Sequence, residues 1–145
     1  MTATTLNLAY LHDHQAQLTP AREAVVHGAM RLTYAQVNAM ANQVAGGLRG
    51  LGLQPGDHVA LSCPNLPYFP IAYYGILKMG GIVAPLNVLL KPREIAFHLK
   101  ESNAKALGTV DSLTAAAGWC RSTRNSLAAS WRSHRAPPRT PRTAT

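Results

Sequence analysis

Few residues of this 145-residue chain have the types and spacing that chemistry requires. His12-Asp13-His14 puts two imidazoles beside a carboxylate, the start of a metal site. A closed site needs about four ligands, and no Cys or further His stands at ligand spacing from this triplet, which therefore reads as three polar residues on a solvated helix face. Gly50-Leu51-Gly52-Leu53-Gln54-Pro55-Gly56 approaches the glycine fingerprint that cradles a dinucleotide pyrophosphate. It follows a helical pattern rather than a strand and holds one residue too many before the last glycine, so it reads as a helix end and a turn.

Cys63 could be a nucleophile, but no His or acid is placed nearby to make a thiolate, and at the end of an apolar run it reads as a buried small hydrophobe. Tyr68, Tyr73 and Tyr74 offer faces for stacking a ring. With Ile71, Ile76 and Leu77 between them they read as a helix packed on a sheet. Pro64, Asn65, Gly80, Gly81, Pro85 and Asn87 stand at turns, where backbone geometry alone accounts for Gly, Pro and Asn. On these grounds the sequence assigns no catalytic, cofactor-binding or metal-ligating residue.

The elements around these positions can be placed from periodicity and caps. Leu6, Leu8, Tyr10, Leu11 and Leu18 carry a helical pattern over residues 1–20, closed by Pro20. Ala24 to Val26 reads as a short strand, His27-Gly28-Ala29-Met30 as a turn, and Met30 to Leu32 as its antiparallel return. Thr33 and Gln36 form a capping box that starts a helix at Tyr34. Val37, Met40, Ala41, Val44, Ala45, Leu48 and Leu51 give that helix one continuous apolar face, with Gly52 just past its end.

The turn Gln54-Pro55-Gly56-Asp57 feeds a strand from His58 to Cys63. A helix over Tyr68–Met79, a Gly80-Gly81 break, a strand Ile82–Leu86, a helix Pro92–Ser102 and a strand Ala106–Val110 follow. Strands alternating with helices predict parallel βαβ units. Each such strand needs cover on both faces, more than these helices are expected to supply.

Charge divides the chain. Residues 1–118 carry eight basic and six acidic residues, whereas 119–145 carry six Arg, no Lys and no acid, so most of the net +8 belongs to the tail. Arg, Ser, Thr, Ala and Pro make up 21 of those 27 residues, a composition that cannot bury a core and that reads as disordered. GC-rich codons translated out of phase give the same residues, so a shifted reading frame is one origin expected for it. Arg strung along such a segment implies at most weak, salt-sensitive contact with an anionic partner. Nothing in the chain reads as a secretory signal with an apolar run behind a basic start, and its most apolar window, Tyr68 to Leu90, reads as too interrupted for a membrane span. With Cys63 and Cys120 in regions of different character, a reduced, cytoplasmic setting is expected.

The blocks LTYAQVNAMANQVAGGL, LGLQPGDHVALSCPN, YGILKMGGIVAPLN and KPREIAFHLKESNAKALGTVD, in this order, resemble the opening domain of AMP-forming acyl-CoA synthetases. The resemblance runs from about Asn7 to Asp111 and stops near Gly118, which divides the chain into a domain portion, 1–118, and a tail, 119–145. It implies an α/β fold: an incomplete N-terminal subdomain of the adenylate-forming synthetase, with βαβ units behind a front hairpin.

Intact members of that family join a carboxylate to ATP, with Mg²⁺ on the phosphates, and then transfer the acyl group from AMP to coenzyme A. Their phosphate cradle is a Ser/Thr/Gly-rich loop ending in Pro-Lys-Gly, and no such loop occurs here. The adenine and ribose contacts, the metal-binding Glu and the C-terminal catalytic Lys of the family all lie downstream of the point of departure. The resemblance thus implies a truncated fatty-acid or related carboxylic-acid CoA ligase, inactive alone and with no cofactor of its own. The alternative from a different class is a non-enzymatic interaction protein, docking on a partner synthetase or on an acidic surface through the basic tail.

Overall fold

The computed structural model describes residues 7–109 and the backbone of Cys120–Arg121. In chain order the elements are α1 (Ala9–Leu18), β1 (Glu23–His27), β2 (Met30–Thr33), α2 (Tyr34–Gly50), β3 (His58–Ser62), α3 (Tyr68–Lys78), β4 (Ile82–Pro85), α4 (Pro92–Glu101), β5 (Ala106–Thr109) and β6 (Cys120–Arg121). Strands β1 and β2 form a separate antiparallel hairpin, and the other four form one sheet of order β4-β3-β5-β6.

Local chemistry sets the ends of the helices. At the start of α2 the Gln36 backbone N–H donates to Thr33 Oγ1 at 3.3 Å, and the Thr33 N–H donates to Gln36 Oε1 at 2.9 Å. Two donors that the helix cannot satisfy internally are thereby paired. Thr33→Ala is expected to cost about 1 kcal/mol, read as a lower urea midpoint with an unchanged slope.

The far end of α2 closes with Gly52 at φ 82°. Its N–H reaches the Arg49 carbonyl at 2.8 Å, and the Leu53 N–H reaches the Leu48 carbonyl at 3.2 Å. This pair of bonds occupies the Leu48 and Arg49 carbonyls and turns the chain toward β3. The ends of α3 and α4 close in the same way, through Gly80-Gly81 and through Asn103-Ala104. Asn103 takes the left-handed position, φ 50°, that asparagine tolerates better than most residues.

Strand β3 lies between β4 and β5 and is parallel to both. The crossovers α3 and α4 run in opposite directions across the sheet, so the usual right-handed connection puts them on opposite faces. On one face Val59 and Leu61 pack with Ala45 and Leu48 of α2 and Ala72 and Ile76 of α3. On the other, Ala60 packs with Ile95 and Leu99 of α4.

Val59, Ala60 and Leu61 are all 0% exposed, so β3 is dry on both sides, contrary to the expectation of insufficient cover. The shortfall falls on β4, whose Ile82 is 48% exposed at the sheet edge. Within the segment expected to be a disordered tail, Cys120 and Arg121 pair antiparallel with Leu107 and Ala106. The remainder of that tail, with the anionic contact expected of its arginines, lies outside the described residues.

Helix α1 departs from its apolar pattern. Its buried residues are Ala9, His12 and Ala16, while Leu8, Tyr10, Leu11 and Leu18 are exposed. Small side chains let α1 lie close against α2 and α3, which leaves no room for leucine in that seam.

Candidate functional site

Successive parallel strands are laid down first on one side of β3, as β4, and then on the other, as β5. Where connections leave in opposite directions, a crevice opens outside the carboxyl ends of the two strands, and such crevices are where open α/β sheets bind ligands. Here that position is bounded by Ser62 and Thr109, which are register partners across β3 and β5.

Two described loops leave the sheet at this end and are taken as its lip: Cys63 to Pro67 after β3, and Leu86 to Lys91 after β4. The Leu86 N–H donates to the Leu61 carbonyl at 2.9 Å, fastening the second loop to β3. Asn87 Oδ1 then accepts from the Leu89 N–H at 2.9 Å, and its carbonyl accepts from the Leu90 N–H at 3.2 Å. The loop is pinned by its own asparagine, and Leu89 stands 85% exposed at its crest.

The turn residues separate into two groups. Pro64 and Asn65 follow β3, and Pro85 and Asn87 lie at the end of β4. The parallel register Leu61↔Pro85 brings all four to the same edge. Gly80 and Gly81 lie at the opposite edge, against the Pro55-Gly56-Asp57 turn. There the Gly56 N–H donates to the Gly80 carbonyl at 2.8 Å, and a Cβ on Gly80 would stand 3.0 Å from Pro55 Cβ. The glycines of the near-fingerprint do serve as a helix end and a turn, with Gly56 at φ 88° and the Asp57 N–H on the Gln54 carbonyl at 3.0 Å.

Cys63 is buried, and burial pushes its thiol above the ordinary value, the opposite of what a nucleophile needs. Tyr68 and Tyr73 pack against the main core as expected, but Tyr74 turns away from the sheet toward α1. There it meets His12, which corrects the sequence reading of His12-Asp13-His14 as a solvated face.

His12 is 5% exposed, with its ring 4.3 Å from that of Tyr74 at 12° and 5.7 Å from that of Tyr34. Asp13 Oδ1 accepts from Lys78 Nζ, and only His14 of the three is exposed. A hydropathy pattern scores histidine as polar, so its aromatic packing left no signal in the sequence.

The lip loops hold a single cation, Lys91, whose backbone N–H donates to the Glu94 carboxylate at 2.6 Å. Among the described residues no group of three His, Cys, Asp or Glu side chains could hold a metal ion. Three phosphates and their Mg²⁺ require several cations and carboxylates, so these residues do not fit that group.

Comparison with known proteins follows the same outline. The family model described as AMP-binding enzyme matches residues 12–143. The long-chain-fatty-acid–CoA ligase FadD13 of Mycobacterium tuberculosis is 37% identical over 103 residues, covering 70% of this chain and 20% of the ligase. The long-chain-fatty-acid–CoA ligase of Salmonella typhimurium is 37% identical over 102 residues, covering 70% of this chain and 18% of the ligase.

Among solved structures, the inhibitor-bound N-terminal domain of FACL13 from Mycobacterium tuberculosis superposes with a TM-score of 0.71 at 31% identity. That alignment covers 92% of this chain and 31% of that domain. The chain thus spans about a fifth of the length of the curated relatives it matches. With the capped helix, the doubly wound sheet and a family match reaching from 12 to 143 in agreement, the chain belongs to the AMP-binding enzyme family.

Proposed function

We propose that this chain is the N-terminal scaffold of a cytoplasmic, ATP-dependent ligase that joins a fatty acid or related carboxylic acid to coenzyme A, and that it is inactive alone. The observation that carries the reading is the 37% identity to a long-chain-fatty-acid–CoA ligase over a stretch that is only 20% of that enzyme. Its contribution to a complete ligase is positional. The dry β3 strand and the pinned Asn87 loop hold one wall of a crevice whose phosphate cradle and metal ligands come from elsewhere. No helix among the described residues is long and apolar enough to cross a membrane.

The purified 145-residue chain, supplied with ATP, Mg²⁺, a fatty acid and coenzyme A, is expected to release no pyrophosphate above a protein-free control. Sustained release would overturn the scaffold reading. Grafting residues 7–109 into FadD13 in place of the matched segment tests the ligase assignment itself. A folded chimera that forms acyl-CoA is the expected result, and a folded chimera that forms none counts against it.

A further inference from the structure

Helix α1 is held to the rest of the domain by an unusual set of contacts. Of its three buried side chains two are alanines, and the third and largest is His12. Its leucines point elsewhere, so a titratable ring does the anchoring that an apolar side chain does in most helices. That ring bridges both neighbouring helices, stacking on Tyr74 of α3 at 4.3 Å and tilting against Tyr34 of α2 at 5.7 Å.

The charged and titratable groups around the ring are Lys78 and Tyr74 from α3, Tyr34 from α2 and Asp13 from α1 itself. Lys78, with its side chain 8% exposed, already claims the Asp13 carboxylate. His12 Nε2 has no hydrogen-bond partner among the described residues. An imidazolium there would carry an N–H donor at Nε2 with no acceptor, beside a cation whose counter-ion is taken.

Stacking on a tyrosine face favours a cation, and Asp13 does too. Burial and then the Lys78 ammonium outweigh both and hold the imidazole below its ordinary value of 6.5. Burial also keeps the Tyr74 phenol protonated, so it offers no compensating negative charge.

We propose that His12, wedged between Tyr34 and Tyr74 beside Lys78, is a pH-sensitive latch whose protonation undocks α1 from the α2–α3 pair while the β3–β4–β5 sheet stays folded. The sign follows from linkage. The docked state keeps His12 neutral, whereas the undocked helix exposes it to water and lets it bind a proton at its ordinary value. The contribution of neutral His12 to docking is therefore fully present above pH 6.5 and is lost as pH falls below it. The loss approaches tenfold per pH unit, the slope for one proton taken up on opening. This inference stands apart from the ligase reading, because it needs only the packing of α1.

The test is amide exchange on the full chain between pH 7.5 and pH 5, corrected for intrinsic exchange rates. Protection of α1 is expected to fall relative to α2 and α3 as pH drops below 6.5, and His12→Phe, which keeps the ring and removes the proton, is expected to abolish that fall. An unchanged protection ratio across this range would overturn the latch, as would the same fall in His12→Phe. Should the phenylalanine variant not fold, the wild-type His12 ring, titrated by NMR, decides alone. A midpoint below 6.5 accompanied by α1 shifts supports the latch, and one at or above 6.5 refutes it.

Discussion

Gly75→Ala is expected to cost about 3 kcal/mol, the upper part of the range for overpacking a well-filled seam. A Cβ at this position would stand 2.5 Å from Val44 Cγ1, 2.6 Å from Val44 Cβ and 3.0 Å from the Ala41 carbonyl oxygen. Ordinary carbon contacts lie near 3.5–4.0 Å, so something must move. Rotating Val44 shifts its Cγ1 and leaves its Cβ and the Ala41 backbone where they are, and relief therefore requires α2 and α3 to separate. Ala45, Leu48, Ala72 and Ile76 share the same core and would lose contact together.

Helix propensity runs the other way, because alanine is favoured over glycine in a helix interior by about 1 kcal/mol. Gly46 and Gly47 isolate that effect, since each lies within α2, is exposed, and has nothing within 4 Å of the position a Cβ would take. Gly46→Ala is thus expected to stabilise the domain by up to about 1 kcal/mol while the same change at Gly75 damages it. Adding Val44→Ala to Gly75→Ala should recover only part of the loss, since the Val44 Cβ contact remains. Urea midpoints of the parent, Val44→Ala, Gly75→Ala and the double variant form the cycle, and a Gly75→Ala variant as stable as the parent would show that the two helices separate freely.

The two glycines also show where the sequence is legible and where it is not. Everything set by neighbours along the chain could be read. Thr33 and Gln36 gave the start of α2, Gly52 its end, Pro55-Gly56 the turn, and alternation of elements the parallel pairing, each within a residue or two of the structure. What depends on a distant residue could not. Nothing near Gly75 says that Val44, far back in the sequence, will lie against it, and nothing near His12 says that Tyr74 will stack on its ring.

The leucines of α1 were misleading for the same reason. A helical pattern predicts that some face is buried, but small residues and a histidine won the seam because the partner helices come close there. The candidate site falls between these cases. Pro64, Asn65, Pro85 and Asn87 were identifiable as turn residues, yet only the register of β3 with β4 places them on one edge.

Leu61 ties that edge to the core, and Leu61→Ala is expected to cost about 4 kcal/mol against about 2 for Leu99→Ala, although both delete the same atoms. The difference lies in how well each site can collapse. Leu61 is 0% exposed on the central strand, walled by the sheet backbone and by the α2–α3 pair that Gly75 locks together, so the cavity stays open. Leu99 is 5% exposed on α4 itself, in a smaller cluster with Ala60, Ile95, Ala104 and Leu107, and this single helix can settle toward the gap.

The Leu61 carbonyl also anchors the Leu86 N–H at 2.9 Å, so loosening β3 at this point should raise amide exchange in the Asn87 loop, while Leu99→Ala should not. Equal losses in the two variants would mean that α4 is seated as rigidly as α2 and α3. Unchanged exchange at Leu89 and Leu90 in Leu61→Ala would mean that the loop is pinned by Asn87 alone, and that the wall of the crevice does not depend on the core beneath it.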